Sequence, residues 1–166
     1  MRAILEAVIV LALYEMGAAG TAPPAGWRNP TKAEAGQAWR SGSSHRYLAI
    51  RADFDGDGRT DEAKLLVTTA GPGAALVVLL GGSGQGPIIL ERFDDALWLD
   101  VMGIDLVKPG QYRTACGKGY WKCETGEPEV LVLDRPAIDL FKEGSANSYF
   151  FFDPATRRFR RVWISD

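Results

Sequence analysis

Histidine and cysteine are scarce in this chain: His45 is the single histidine in 166 residues, and Cys116 and Cys123 are the two cysteines. A zinc centre needs three or four such ligands, so that chemistry is excluded, as is any catalysis requiring two histidines. Long apolar runs are missing too. The best, Ala7 to Leu13, is bracketed by Glu6 and Glu15 and is too short to cross a bilayer, so no stable membrane anchor is expected. Charge of one sign is not in excess, with 19 Lys+Arg against 21 Asp+Glu and a net charge of −2. That balance argues against a protein built to bind nucleic acid or an anionic membrane. No linker, low-complexity tract or internal repeat is visible.

What is present is a globular composition, 46% hydrophobic and 24% charged, in a chain long enough to bury one core. Arg2, the apolar stretch Ala7 to Leu13 and the small residues Gly17-Ala18-Ala19 read in order as a secretory signal. We therefore expect a signal peptide over residues 1–22 and a single domain over 23–166, placed in a periplasm or secreted. A short N-terminal helix in a cytosolic protein is the alternative. Cys116 and Cys123 agree with export. They flank Gly117 to Lys122 without the CxxC spacing of redox or metal sites, and a structural disulfide is expected between them. Closing so short a loop stabilises by about 2–3 kcal/mol in the chain-entropy model.

Thr31 followed by Glu34 is a capping box, which predicts a short helix over Lys32 to Arg40, ended by Ser41-Gly42-Ser43-Ser44. From Tyr47 onward the pattern is strands and turns. Strands are expected at Tyr47–Phe54, Ala63–Thr69, Ala75–Leu80, Ile88–Phe93, Leu97–Met102, Gln111–Ala115, Tyr120–Cys123 and Glu129–Leu133. A closing meander is expected over Ala137–Phe141, Ser148–Phe152 and Phe159–Ile164. The fold class is mainly β, an α+β arrangement with one short N-terminal helix, forming an antiparallel sandwich or a barrel-like meander.

Asp53-Phe54-Asp55-Gly56-Asp57-Gly58-Arg59-Thr60-Asp61 is the most specific segment. Carboxylates at loop positions one, three, five and nine, with glycine at six, suit a hard cation that takes six to eight oxygen ligands. Four crowded carboxylates repel one another, and a divalent ion removes that penalty. Ca²⁺ suits the spacing better than Mg²⁺. The loop is not an EF-hand: position twelve is Lys64, and the flanks read as strands. The core resembles the strand-loop-strand calcium motif of FG-GAP and VCBS-type repeats. That resemblance implies Ca²⁺ ligation by Asp53, Asp55, Asp57 and Asp61 and by the Arg59 carbonyl. It covers about 15 residues and does not bring the propeller of those repeats, because one copy cannot build one. A solvated acidic turn is the alternative. Segments Ala115 to Trp121 and Glu143 to Ala146 also resemble a family of small exported bacterial proteins, which adds a localisation but no mechanism.

Other signals fail on inspection. Gly81 to Gly86 lacks the Gly-Lys-Ser/Thr of a phosphate loop and breaks the dinucleotide fingerprint at Pro87, so a hairpin loop is expected. His45 beside Ser43 and Ser44 is too close in sequence for a nucleophile-base pair. The Arg157 to Arg161 run reads as edge-strand protection, with Phe159, Arg161 and Trp163 on one face. These readings favour an exported, calcium-stabilised binding module over an enzyme. An inhibitor or immunity-type protein acting on a cell-wall hydrolase would have this design, docking a protein partner through Lys118, Tyr120 and Trp121. A calcium-dependent hydrolase and a purely structural envelope protein are the alternatives.

Overall fold

The computed structural model describes residues 21–166, so the expected signal peptide lies almost wholly outside the described residues. Eleven strands are present among the described residues: β1 (Trp27–Arg28), β2 (Ala49–Ala52), β3 (Asp61–Thr68), β4 (Ala74–Leu79), β5 (Ile88–Phe93), β6 (Met102–Val107), β7 (Gly110–Arg113), β8 (Val130–Leu133), β9 (Ala137–Lys142), β10 (Asn147–Asp153) and β11 (Arg158–Ser165). All pairings are antiparallel. One sheet runs β1-β3-β4-β5 with β2 also on β3, a second runs β11-β10-β9-β6, and β7 pairs with β8 alone.

Burial explains the order. Five of the six residues of β4 are buried, and seven of the eight in β3, as befits central strands covered on both faces. Leu65, Leu76 and Val78 of the first sheet pack against Ile104, Ile138, Leu140 and Phe150 of the second, forming the core between them. The β7–β8 ribbon lies on the outer face of the second sheet, where Leu131 and Leu133 join Val162 and Ile164. The result is a mainly β sandwich, with no closed barrel among the described residues.

The two long sides of the sandwich differ. On one, the Tyr47 carbonyl accepts from the Ile104 amide and the Leu48 carbonyl from the Leu65 amide, both at 2.9 Å. Residues 47–48 thus bridge the sheets. On the other side β5 and β11 end their sheets, and no backbone hydrogen bond joins them among the described residues. Among the described residues the Arg161–Glu91 ion pair, at 2.8 Å, crosses the gap.

Several expectations need correction. The capping box closes, with the Glu34 amide donating to Thr31 Oγ1 at 3.2 Å and the Thr31 amide to Glu34 at 2.8 Å, but only a turn follows. The chain extends at Gln37 and resumes as a 3₁₀ helix, Ala38–Gly42. One capped turn cannot carry a short helix, and a second demand wins. Arg40 is fully buried, donating to the carbonyls of Leu99, Met102 (2.7 Å) and Arg46 (3.0 Å). The segment expected as a strand over Leu97–Met102 is instead a 3₁₀ helix, Ala96–Asp100, because Asp95 caps the Leu97 amide at 2.8 Å. The strand follows it, as β6. Tyr120–Cys123 is not a strand either: the Lys118 amide bonds back to Thr114 (2.9 Å) and the Tyr120 amide to Ala115 (3.1 Å), winding the segment into turns. The remaining expected strands fall within two residues of their limits at every end, and Ile88–Phe93 coincides with β5.

Candidate metal centre

The acidic loop joins β2 to β3, so a tight antiparallel pair fixes both its ends. Gly56 and Gly58 adopt φ of +82° and +83°, a region that side chains with a Cβ enter at a cost. Asp53 organises the interior. Its Oδ1 accepts the amides of Gly56 (2.7 Å) and Asp57 (3.1 Å), and its Oδ2 that of Gly58 (2.9 Å). Asp55 Oδ1 accepts the Asp57 amide at 3.1 Å.

Asp61, the first residue of β3, is 1% exposed. Its Oδ2 accepts the Phe54 amide at 2.7 Å and its Oδ1 the Gly81 amide at 2.8 Å, linking the loop to the end of the β4–β5 hairpin. Burial pushes the Asp61 carboxyl up, the two amides oppose that, and the charge of Asp55 adds to the rise. No cationic side chain pairs with Asp61 among the described residues.

Asp53, Asp55 and Asp61 each present an oxygen within 4.8 Å of the others. Such a set of hard carboxylate oxygens, one of them buried, matches the donors that Ca²⁺ takes. Asp57 stands outside this cluster: it is exposed, and its Oδ1 accepts the Arg59 amide at 2.8 Å. The Arg59 side chain reaches away to the Gly82 carbonyl at 2.9 Å.

Arg135 was missed by sequence reasoning. It lies in the turn between β8 and β9, yet its Nη1 donates to the Asp55 carbonyl at 2.6 Å, over the face of Gly56. It is paired first with Asp134, and the charges of Asp53 and Asp55 further hold its proton on. Nothing local marks such a contact across 80 residues.

The disulfide between Cys116 and Cys123 is formed, with the two Cα atoms 4.9 Å apart. Of the three side chains expected to meet a partner there, two are engaged internally. Lys118 Nζ donates to the Ile164 carbonyl at 2.7 Å, and Trp121 Nε1 to Glu127 at 3.2 Å. Tyr120 is 54% exposed.

The rejected motifs are accounted for by their contacts. His45 Nε2 lies 3.3 Å from Asp105, its Nδ1 is buried without a partner among the described residues, and Ser43 Oγ accepts the His45 main-chain amide instead of the ring. Outside those motifs, Asp94 receives the Trp98 indole N–H at 3.0 Å. Gly81 to Gly86 lie in the β4–β5 hairpin connection, as expected. No protein-family model, curated protein or solved structure matches the chain.

Proposed function

We propose that this chain is an exported β-sandwich module that works by binding a protein partner, with Ca²⁺ as a structural staple in the Asp53–Asp61 loop. The carrying observation is Asp61, a buried carboxylate that meets Asp53 and Asp55 with no cationic side chain paired to it among the described residues. When bound, Ca²⁺ neutralises the three carboxylates together. Asp57 and the Arg59 carbonyl, implied by the FG-GAP resemblance, would complete the ligand set. The chain's own part is to hold the loop closed through Asp53 and to tie it to two strands and a hairpin through Asp61.

Binding is favoured over hydrolysis because acids that the sequence pairs outside the loop serve structure. Asp95 caps a 3₁₀ helix, Glu127 holds the Trp121 indole, and Asp94 holds that of Trp98. Export is supported by the N-terminal pattern and by the disulfide. A cell-wall hydrolase is the partner class this reading carries, and Tyr120 is the side chain open to it.

The test is thermal melting of the oxidised protein in millimolar Ca²⁺, in Mg²⁺ and in chelator. A midpoint raised by Ca²⁺ well beyond Mg²⁺ supports the reading, since a ligand that binds only the native state raises its stability. Coincident melts in all three contradict it.

A further inference from the structure

The open side of the sandwich carries a second inference. Two cavities, of about 420 and 330 Å³, lie along the seam between β5 and β11, and both are lined by Arg161. Residues 91–93 of β5 border the first and residues 88–90 the second. They are therefore one groove, divided where the Arg161–Glu91 pair crosses it. The first half is walled by Phe93, Trp98, Met102, Leu140 and Trp163, and the second by Ile88, Leu90, Phe150 and Phe159.

The backbone along the groove is available. β5 is the last strand of its sheet, and none of its amides or carbonyls bonds outside the β4 pairing among the described residues. On β11, the Trp163 carbonyl accepts from the Ala115 amide, so the peptide groups of odd-numbered residues point away from β10. Those of Phe159 and Arg161 follow the same direction and meet no backbone partner among the described residues.

Charge selects the occupant. Lys142, Arg157, Arg158 and Arg161 line the two cavities against Glu91 and Asp94, while the Arg92 guanidinium turns to the other face of its sheet, 5.7 Å from the Trp27 ring centroid. That is a positive stripe on a protein of net charge −2. Arg161 is held rigid in it, stacked 4.1 Å from the Trp163 ring centroid and donating to Ser148 at 2.9 Å. A second copy of this chain would bring the same cations and be repelled. An anionic polysaccharide would satisfy the charge but not the free strand edge.

We propose that this seam is the docking groove for an acidic, extended peptide segment of a partner protein. The segment adds as a strand to the free edge of β5, seating alternate apolar side chains in the two cavities and its carboxylates among the arginines. In this mode main-chain hydrogen bonds supply affinity and pockets for alternate side chains supply specificity. The inference rests on the binding-module reading but not on the calcium site, and calcium titration and peptide titration can fail separately.

The experiment is fluorescence anisotropy of the full chain with a labelled hexapeptide of alternating valine and glutamate. Comparisons are its valine-lysine analogue, a version N-methylated at alternate residues, and polygalacturonate. Saturable binding of the valine-glutamate peptide alone is expected, with slowed amide exchange over residues 88–93. The double variant Arg157→Glu/Arg158→Glu, both exposed and checked for an unchanged melt, should weaken binding about tenfold. Glu91→Gln, which removes the competitor for Arg161, should tighten it severalfold. No binding at millimolar peptide overturns the proposal. So do equal binding of the lysine or N-methylated peptide, equal binding of polygalacturonate, and protection confined to another edge.

Discussion

Arg135 Nη1 donates to the Asp55 carbonyl at 2.6 Å, tying the β8–β9 turn of one part of the sandwich to an acidic loop between β2 and β3. The guanidinium is thus a built-in counter-charge for Asp53 and Asp55. Arg135→Ala should lower stability in chelator by about 1–2 kcal/mol, the worth of a hydrogen bond with a charged donor. It should also enlarge the rise in melting temperature expected from Ca²⁺, because the carboxylates then lack their internal cation. Paired melts of both proteins with and without Ca²⁺ check this, and an unchanged Ca²⁺ increment counts against it.

The two loop glycines should respond differently to a methyl group. At Gly58 a Cβ meets nothing within 4 Å, so Gly58→Ala carries only the left-handed backbone strain of about 1 kcal/mol. At Gly56 the same Cβ runs into the Arg135 guanidinium, adding roughly the lost Asp55 hydrogen bond, about 1–2 kcal/mol more. Denaturant titrations should show Gly56→Ala the costlier, and the gap should vanish in an Arg135→Ala background.

Arg40 is buried with no carboxylate bonded to it among the described residues, and desolvation lowers its pKa to about 10. Its fork instead bonds carbonyls from three segments. Lysine keeps the charge but cannot reach Arg46, Leu99 and Met102 together. Arg40→Lys should therefore cost about 2–4 kcal/mol. A loss below 0.5 kcal/mol on chemical denaturation would show that the buried fork is not what fixes the 3₁₀ segment.

Asp139 sits directly opposite Asp105 on β6 and Tyr149 on β10. Burial raises its pKa to about 6, the Asn147 amide hydrogen bond opposes that, and the charge of Asp105 adds to it. A carboxyl whose folded pKa exceeds its unfolded value near 4 stabilises most when protonated. That contribution is complete below about pH 4 and is lost as pH rises through about 6. Asp139→Asn should raise stability at pH 7 by about 1–2 kcal/mol and flatten the profile between pH 4 and 6. An unchanged slope in that window contradicts the assignment.

Features written in contiguous residues were legible. The loop from Asp53 to Asp61, the disulfide, the Thr31–Glu34 box and the limits of β5 all follow from local spacing. What escaped depends on partners distant in sequence. Strand β6 hides behind a capping Asp95 and contains Gly103, whose missing side chain makes room for the Phe141 ring. The helix read from the capping box ignored the pull of Arg40 toward carbonyls 59 and 62 residues on. Arg135 on the acidic loop and Arg161 against Glu91 have no sequence signature, since either arginine could equally have been a solvated surface charge.

The central claim is tested most directly by calorimetric titration of Ca²⁺ into the oxidised protein, with Asp55→Asn and Asp57→Asn alongside. One site per chain is expected, with a dissociation constant on the order of 10⁻⁴–10⁻³ M, as in extracellular calcium modules. Binding should vanish in Asp55→Asn, which removes a clustered carboxylate, and weaken only modestly in Asp57→Asn. Absence of heat at millimolar Ca²⁺, or an Asp55→Asn isotherm identical to that of the parent, would contradict the account.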